Sequence, residues 1–197
     1  MSHTTVRVFF NFRSPYCYLV SRSLFARLGQ FEVAVAWRSL GGWDGRSPPE
    51  RAKVKVPLTR QDVARWCKRL GIPFNPPPIS TEPTPAALVS FAAEDAGLLP
   101  AYVERVMWRE WAEGQDIGDT GVLLGVAADI GLAAERVHAA LASDDYRALL
   151  AKHWEEAQEL GVIGVPTFVV GDQIFWGNDR MDFLEEYLTE HGLPKAG

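Results

Sequence analysis

The sequence has few cysteines, no long apolar run and no excess of positive charge. Its two cysteines, Cys17 and Cys67, fall in different predicted helices, and a reducing cytoplasm is the simplest compartment for them. The formal net charge of −5 provides no basic field, so we predict no nucleic-acid partner. No apolar stretch approaches the roughly 20 residues that span a bilayer. We therefore expect a cytoplasmic protein without a signal peptide and without a membrane partner.

The remaining composition is that of a globular protein. Hydrophobic residues make up 47% of the chain and charged residues 23%. The 197 residues are enough for one sizeable domain, or for a domain that carries a large insertion. We find no internal repeat and no low-complexity segment.

A strand pattern near the N-terminus runs directly into a helix pattern. Apolar side chains alternate over residues 6–12, which predicts a buried strand. Ser14 then stands where a helix N-cap belongs and Pro15 where the first helical residue belongs. The helix carries an apolar stripe of Tyr16, Val20, Leu24 and Leu28. Unpaired N–H groups and the helix dipole make such a junction suitable for an anion, in particular a thiolate, although an ordinary N-cap serine is the alternative.

The following segments predict a βαβ unit and then a block of helices. Gly29 ends the first helix, and alternation over 31–37 predicts a second strand, parallel to the first with a right-handed crossover. Residues 41–57, rich in Gly, Pro and Arg, are predicted as a loop. Helical periodicity holds from 58 to 159, beginning with a helix that a Thr59–Asp62 capping box would open. Five further helices are predicted: at 84–97, at 100–113, from Asp119 to Gly131, around Val137 and Leu141, and from a cap at Ser143 or Asp144 to Leu160. His153, in the last of these, is predicted to be a packed side chain and not a ligand.

Strand patterns return in the last forty residues. A β run over 162–170 is interrupted by Pro166, a turn follows, and residues 173–176 form a return strand. A final helix is capped by the segment 177–179. The order βαβ, helices, ββα is that of a thioredoxin-like α/β fold with a large all-helical insertion. We accordingly predict a thioredoxin-like domain from residues 1–57 and 158–197 and an insertion domain from residues 58–157.

Pro166 needs a specific explanation, since proline inside a strand removes a ladder hydrogen bond. We predict a cis Val165–Pro166 bond at the start of the strand, which would expose the backbone N–H and C=O of Val165 toward Ser14. Such backbone groups can pair with a peptide-like ligand as a short added strand. A trans proline on an edge strand is the alternative.

Three motifs resemble those of a known family. These are Ser14-Pro15-Tyr16, Gly164-Val165-Pro166-Thr167 and Trp176-Gly177-Asn178-Asp179-Arg180. Together with the long helical insertion they resemble the 2-hydroxychromene-2-carboxylate isomerases, which belong with the kappa-class glutathione transferases in the DsbA-like branch of the thioredoxin superfamily. The likeness covers essentially the whole chain. It implies the DsbA/kappa-class architecture, a homodimer, and glutathione as cofactor.

The resemblance also implies roles for individual residues. Ser14 would contact the sulfur of glutathione, and Val165, next to Pro166, would pair with its cysteinyl backbone. The γ-glutamyl end would be held by Trp176, Gly177, Asn178 and Asp179. This assignment is chemically sensible, because a helix N-terminus and a carboxylate can together bind a zwitterionic amino-acid head, with Asp179 facing the ammonium group.

The chain departs from the family pattern at several positions. Arg13 replaces a residue that is usually aliphatic, and it could favour a thiolate or bind a substrate acid. Cys17 stands where relatives often have serine. Lys53 and Lys55 are kept, but the segment 49–50 is Pro-Glu instead of an Asn-Arg pair. The last change bears on the aromatic substrate more than on glutathione. The candidate substrate contacts are Arg13, Lys53 and Lys55, and no metal site is predicted.

Four functions are compatible with these motifs. The first is a glutathione-dependent isomerase of aromatic catabolism, in which thiolate adds to a conjugated aromatic 2-oxo acid, a bond rotates, and elimination releases the other isomer. Ser14 would be a donor that lowers the thiol pKa, not a covalent nucleophile.

The second function is a kappa-like glutathione transferase that keeps the conjugate. The third is a DsbA-like thiol–disulfide oxidoreductase, disfavoured because Ser14 replaces the first cysteine and Cys17 is expected to be a buried, inert thiol. The fourth is a non-catalytic binding module.

Overall fold

The structure, a computed structural model, describes residues 4–42 and 49–193. The strands are β1 (Thr4–Phe10), β2 (Val33–Ser39), β3 (Thr167–Val170) and β4 (Gln173–Trp176). The helices are α1 (Pro15–Ser21), α2 (Leu24–Leu28), α3 (Pro49–Leu70), α4 (Thr84–Asp95), α5 (Leu99–Trp111), α6 (Thr120–Ile130), α7 (Ala134–Ala142), α8 (Asp144–Glu159) and α9 (Met181–Glu190), with a 3₁₀ turn at Asn178–Arg180.

The four strands form one sheet in the order β2-β1-β3-β4. Strand β1 runs parallel to β2, with Thr4 opposite Val33 and Phe10 opposite Ser39. Strand β3 is antiparallel to both β1 and β4. The predicted order of a βαβ unit, a helical block and a ββα unit is therefore confirmed, and with it the thioredoxin-like fold.

Strand β1 is buried because it lies between two other strands and under helices. Val6, Val8, Phe9 and Phe10 have no exposed surface. An aromatic cluster extends this core into the helical block, with ring centroids 4.9 Å apart for Phe10 and Trp37 and 5.9 Å apart for Phe12 and Tyr102. Since full burial of a phenylalanine contributes about 1.5–3 kcal/mol, this cluster anchors the end of β1 just before Ser14.

Two predictions about the first half of the chain are wrong. The first helix is interrupted after Ser21 and resumes at Leu24 as α2. The loop predicted for 41–57 is helical from Pro49 onward, and its residues 43–48 lie outside the described residues. Thr59 consequently lies inside α3 and does not cap it.

The sequence predicts only the second half of α3 as a helix, because the first half has no buried apolar stripe. Val54 and Leu58 are 66% and 61% exposed. Pro57 lies within the helix and cannot donate to the carbonyl four residues before it.

The later elements mostly match the prediction. Asp119 caps α6 by accepting hydrogen bonds from two backbone N–H groups, and Gly131 ends it at φ 77°. Ser143, and not Asp144, caps α8. His153 is packed as predicted, with Nδ1 3.2 Å from the Ser39 carbonyl oxygen. Strand β3 is shorter than predicted, since it begins only after Pro166.

The division into two domains stays a prediction. Within residues 4–42 and 49–193, no helix combines the length and apolar character needed to cross a membrane.

Candidate active site

Ser14 lies at the N-terminus of α1 and faces the start of β3. Its backbone is extended, with φ −89° and ψ 120°, and its Oγ accepts a hydrogen bond from the Cys17 N–H at 3.4 Å. The same hydroxyl donates to the Val165 carbonyl oxygen at 3.3 Å. Residues 151 positions apart are thus joined by one hydroxyl group. The sequence-predicted residues Ser14 and Val165 are brought together.

The bond between Val165 and Pro166 is cis, as predicted. The Pro166 carbonyl oxygen accepts from the Gly177 N–H at 2.9 Å, and the Thr167 hydroxyl donates to the Gly164 carbonyl at 2.7 Å. These bonds hold the segment before β3 against the turn after β4. The second and third sequence motifs therefore form one surface beside Ser14.

Two glycines shape this surface. A Cβ atom on Gly164 would lie 2.7 Å from Nε1 of Trp176, whose side chain packs over this glycine and is 52% exposed. Gly177 has φ +116°, and a Cβ atom there would lie 2.6 Å from Oδ1 of Asp179. Both glycines therefore permit close approaches that a Cβ atom would obstruct, by the Trp176 indole at the first and by the Asp179 carboxylate at the second.

The Asp179 carboxylate is half-exposed and forms one ion pair. Its Oδ2 lies 2.9 Å from Nη1 of Arg180, which is similarly exposed. Exposed pairs of this kind contribute little to stability, so the carboxylate is available to a cationic ligand. Asn178 is half-buried in the same 3₁₀ turn.

Tyr16 extends the site toward α3. Its hydroxyl donates to Oδ2 of Asp62 at 2.9 Å. Burial, supported by the charges of Asp62 and Asp179, raises the pKa of Tyr16 to about 12. Tyr16 is therefore a neutral hydrogen-bond donor at neutral pH.

An open cleft of about 420 Å³ lies between the first turn of α1 and α3. Its lining combines apolar, basic, acidic and hydroxyl-bearing side chains: Tyr16, Arg51, Val54, Lys55, Leu58, Thr59 and Asp62. Of the two predicted lysines, Lys55 lines this cleft, whereas Lys53 forms an exposed ion pair with Glu50 at 3.0 Å.

Sequence reasoning missed the cleft residues Tyr16, Arg51 and Asp62 as site residues. Tyr16 was within the recognised Ser-Pro-Tyr motif, which was the available signal. The sequence pattern predicts Asp62 as part of a helix cap and places Arg51 in a predicted loop, so neither is indicated as a site residue.

Arg13 does not line the cleft. Its Nη1 lies 3.8 Å from Oε1 of the fully buried Glu110, and its Nη2 donates to the Pro78 carbonyl at 3.1 Å. The guanidinium also lies over the Trp111 ring, 5.4 Å from its centroid. Burial lowers the pKa of Arg13, while the Glu110 charge acts in the opposite direction.

Neither cysteine is a candidate nucleophile. Both thiols are free and buried. Burial raises the pKa of Cys17 to about 12 and that of Cys67 to about 11. A reactive cysteine needs a depressed pKa and access, so the prediction that Cys17 is buried is confirmed and its thiol is not ionised near neutral pH.

Comparison with known proteins agrees with this geometry. Residues 5–189 match the family model described as DSBA-like thioredoxin domain. A 2-hydroxychromene-2-carboxylate isomerase of Sphingobium xenophagum is 30% identical over 94% of this chain and 98% of its own length. A 2-hydroxychromene-2-carboxylate isomerase of Pseudomonas putida is 26% identical over 93% of each chain.

Solved structures show the same fold. That of a 2-hydroxychromene-2-carboxylate isomerase superposes with a TM-score of 0.81 at 24% identity, covering 95% of this chain and 96% of that one. The cytosolic disulfide reductase DsbM from Pseudomonas aeruginosa, solved with GSH, gives a TM-score of 0.71 at 23% identity, covering 94% and 99%. With the family model spanning nearly all of the described residues, the chain belongs to the DsbA-like thioredoxin domain family, alongside the 2-hydroxychromene-2-carboxylate isomerases.

Proposed function

We propose that this protein is a glutathione-dependent isomerase that acts on an aromatic 2-oxo acid. One observation carries the proposal: the Ser14 hydroxyl, at the N-terminus of α1, lies 3.3 Å from the carbonyl oxygen that precedes cis-Pro166. A thiol held there would meet the Ser14 hydroxyl and the helix N-terminus on one side and the Val165 backbone on the other. The names of the curated relatives support the reaction class.

The described residues fit glutathione in three respects. The Val165 backbone can pair with a peptide once Ser14 releases its carbonyl, the Asp179 carboxylate lies against Gly177 in the neighbouring turn, and Ser14 offers a hydroxyl. When bound, glutathione supplies a thiolate that adds reversibly to a conjugated carbon and leaves again after the adjoining bond has rotated.

Ser14 has one proton to donate, and it now goes to Val165. In the proposed complex the hydroxyl turns to the sulfur, which frees the Val165 carbonyl to accept a ligand N–H. The hydroxyl and the unpaired N–H groups at the start of α1 both favour the charged form of the thiol and lower its pKa. Because Ser14 keeps its proton, it acts as a donor and not as a nucleophile.

The turn after β4 would hold the γ-glutamyl end of the cofactor. Asp179 can accept from the ammonium group once its pair with Arg180 gives way. The N–H groups of the 3₁₀ turn, together with the Asn178 amide, can donate to the α-carboxylate. Trp176 would cover this end with its exposed indole.

The cleft between α1 and α3 would take the aromatic acid. Arg51 and Lys55 can pair with its carboxylate, while Val54 and Leu58 offer apolar surface to the ring. Tyr16, neutral with a pKa of about 12, can donate a hydrogen bond to an oxygen on which negative charge develops. Lys53 and Arg13 have no contact with this cleft and are not assigned a substrate role.

Disulfide exchange is disfavoured by the same residues. Exchange needs an attacking thiolate, whereas position 14 carries a hydroxyl and the Cys17 thiol is fully buried with a pKa of about 12. We further propose, from family resemblance, a homodimer located in the cytoplasm.

Calorimetry with glutathione, in the presence and absence of an aromatic 2-oxo acid, tests the proposal. We expect calorimetry to show saturable glutathione binding of micromolar to millimolar affinity. An assay of the products should show conversion of the acid to its geometric isomer without net loss of glutathione. Accumulation of a stable conjugate would instead identify a transferase. Absence of glutathione binding, or isomerisation that proceeds equally without glutathione, would refute the proposal.

A further inference from the structure

A buried ion pair adjoins the Ser14 turn. Arg13 immediately precedes Ser14, and Glu110 lies on α5 with no exposed surface. Their closest charged atoms, Nη1 of Arg13 and Oε1 of Glu110, are 3.8 Å apart. The guanidinium is fixed from two other sides, by the Pro78 carbonyl at 3.1 Å and by the Trp111 ring at 5.4 Å. The positive charge therefore has a fixed place beside the start of α1.

The pair is poorly hydrogen-bonded. Among the described residues, neither carboxylate oxygen of Glu110 nor Nε of Arg13 has a hydrogen-bond partner. The Trp111 indole N–H, which is close by, donates to the Phe12 carbonyl at 3.2 Å instead. A contact of 3.8 Å is Coulombic attraction without a hydrogen bond. Replacing a buried ion pair by apolar residues of similar size is often neutral or stabilising, so a pair of this geometry is weak evidence for a role in stability.

The pair also lies beside the Ser14 turn, so its electrostatic effect on that turn is relevant. Burial raises the pKa of Glu110 well above its usual range; the Arg13 charge and the nearby Trp111 indole N–H oppose this rise, and Asp116 adds to it. The charge of Glu110 also contributes to the raised pKa of Cys17, so its field reaches the first turn of α1. Arg60 and Asp116 are the other charged groups acting on Arg13.

We propose that Arg13 and Glu110 are opposing positioning charges for a thiolate held at Ser14: Arg13 favours its negative charge, and Glu110 limits that effect. The proposal rests on the proposed function in taking Ser14 as the thiol-binding group. A limit is chemically useful here, because the nucleophilicity of a thiolate falls as its pKa falls, while a reversible addition requires both attack and departure. Neither residue touches the reacting atoms, and both act through the thiol.

The two charges have opposite expected effects. Glu110→Gln leaves the Arg13 cation unopposed and should lower the pKa of a thiol at this place. Arg13→Met leaves the carboxylate unopposed and should raise it. Shifts of about half a unit to one unit are expected for charges beyond direct contact. The double variant should return toward the wild-type value.

A thiol built into the protein tests this without glutathione. Ser14→Cys in a Cys17→Ala background places a single thiol at the site, and its ultraviolet thiolate absorbance is followed against pH under reducing conditions. Adding Glu110→Gln should lower the midpoint, because the negative charge that opposes Arg13 is removed. Adding Arg13→Met should raise the midpoint. Glu104→Gln is the matched control: it removes an exposed charge from the same helix and should leave the midpoint of the thiolate titration unchanged.

The outcomes separate this proposal from the proposed function. An unchanged midpoint with Glu110→Gln, or shifts in the same direction for both variants, would overturn the opposing-charge assignment. If Glu110→Gln does not fold, Glu110→Met removes the charge at similar volume and must give the same downward shift. Failure of the wild-type protein to bind glutathione would refute the isomerase proposal but would leave the titration of the introduced thiol fully interpretable.

Discussion

At the scale of single residues, the proposed chemistry depends on the one proton of the Ser14 hydroxyl. Ser14 accepts from the Cys17 N–H and donates to the Val165 carbonyl, so its Oγ has one further acceptor direction and no further proton. Stabilising a thiolate therefore means giving up the bond to Val165. Replacing the Val165 carbonyl by a neutral thiol as the acceptor changes the free energy little. Replacing it by a thiolate is favourable, because charge-assisted hydrogen bonds are about twice as strong as neutral ones.

Ser14→Ala tests this exchange. Removing the hydroxyl leaves Val165 and Asp179 in place, so glutathione affinity should change little. The pKa of the bound thiol should rise toward about 8.5, since a charged hydrogen bond contributes about 1.5–3 kcal/mol, equivalent to about one to two pKa units. Turnover at neutral pH should fall about tenfold or more and partly recover at higher pH. Thiolate absorbance against pH is the measurement, and identical curves for both proteins would reduce Ser14 to an N-cap.

Asp179→Ala tests the proposed ammonium contact. Loss of one charged hydrogen bond should weaken glutathione binding by about 1–3 kcal/mol, as measured by calorimetry. Asp172→Ala, which removes an exposed carboxylate from the β3–β4 turn, is the control and should bind as wild type. Equal affinity of Asp179→Ala and wild type would remove Asp179 from the site.

At the scale of elements, the backbone of the turn after β4 fixes the positions of two side chains of the site. Gly177 adopts φ +116°, and its missing Cβ leaves the space above which the Asp179 carboxylate lies. Gly164 likewise leaves room for the Trp176 indole. The backbone of this turn, and not only its side chains, therefore sets where the carboxylate and the indole lie.

Gly177→Ala tests whether this backbone shape is required for binding. An alanine there is strained by about 1–3 kcal/mol and also displaces the Asp179 carboxylate. We expect lower stability in denaturant unfolding together with loss of glutathione binding. Gly171→Ala is the matched control, because φ is +60° but no atom lies within 4 Å of the added methyl group. It should lose stability yet keep binding; equal loss of binding in both variants would show that strain alone is responsible.

Local patterns were sufficient for some of these elements and insufficient for others. Ser14, Pro15 and Pro166 have specific backbone preferences, so the sequence predicts the strand–helix junction, the cis bond and the order of elements along the chain correctly. It misses the first half of α3, which is exposed, has no apolar period and contains Pro57. Contacts between distant residues were also out of reach: nothing near Tyr16 identifies Asp62 as its partner, and nothing near Arg13 identifies Glu110.

On the scale of the whole molecule, the site lies where the sheet meets the helical block. The Phe12 carbonyl accepts from the Trp111 indole, and the Tyr18 hydroxyl donates to the Pro73 carbonyl at 2.8 Å. Phe74 stacks on Trp111 with ring centroids 6.1 Å apart. The turn that carries Ser14 is thus anchored on both sides by residues of the helical block, and a charge buried at this junction affects global stability as well as the site.

Glu110 should give the protein a measurable pH dependence of stability. Its pKa is raised above the ordinary value of 4.5 by burial, so the folded state holds a proton that the unfolded state has already released. The contribution of Glu110 to the free energy of unfolding is therefore fully present below pH 4.5 and is lost as the pH rises toward the pKa of Glu110 in the folded protein. Relative to wild type, Glu110→Gln should become progressively more stable over this rise, because its side chain does not titrate.

Denaturant unfolding at a series of pH values from acid to neutral measures this difference directly. The slope of unfolding free energy against pH should be less negative, or more positive, in Glu110→Gln than in wild type. Other carboxyl groups contribute equally to both proteins and cancel in the comparison. Glu104→Gln, an exposed change on the same helix, should leave the wild-type slope unaltered. Parallel slopes for wild type and Glu110→Gln would mean that the carboxyl ionises normally in the fold, with Arg13 fully offsetting its burial.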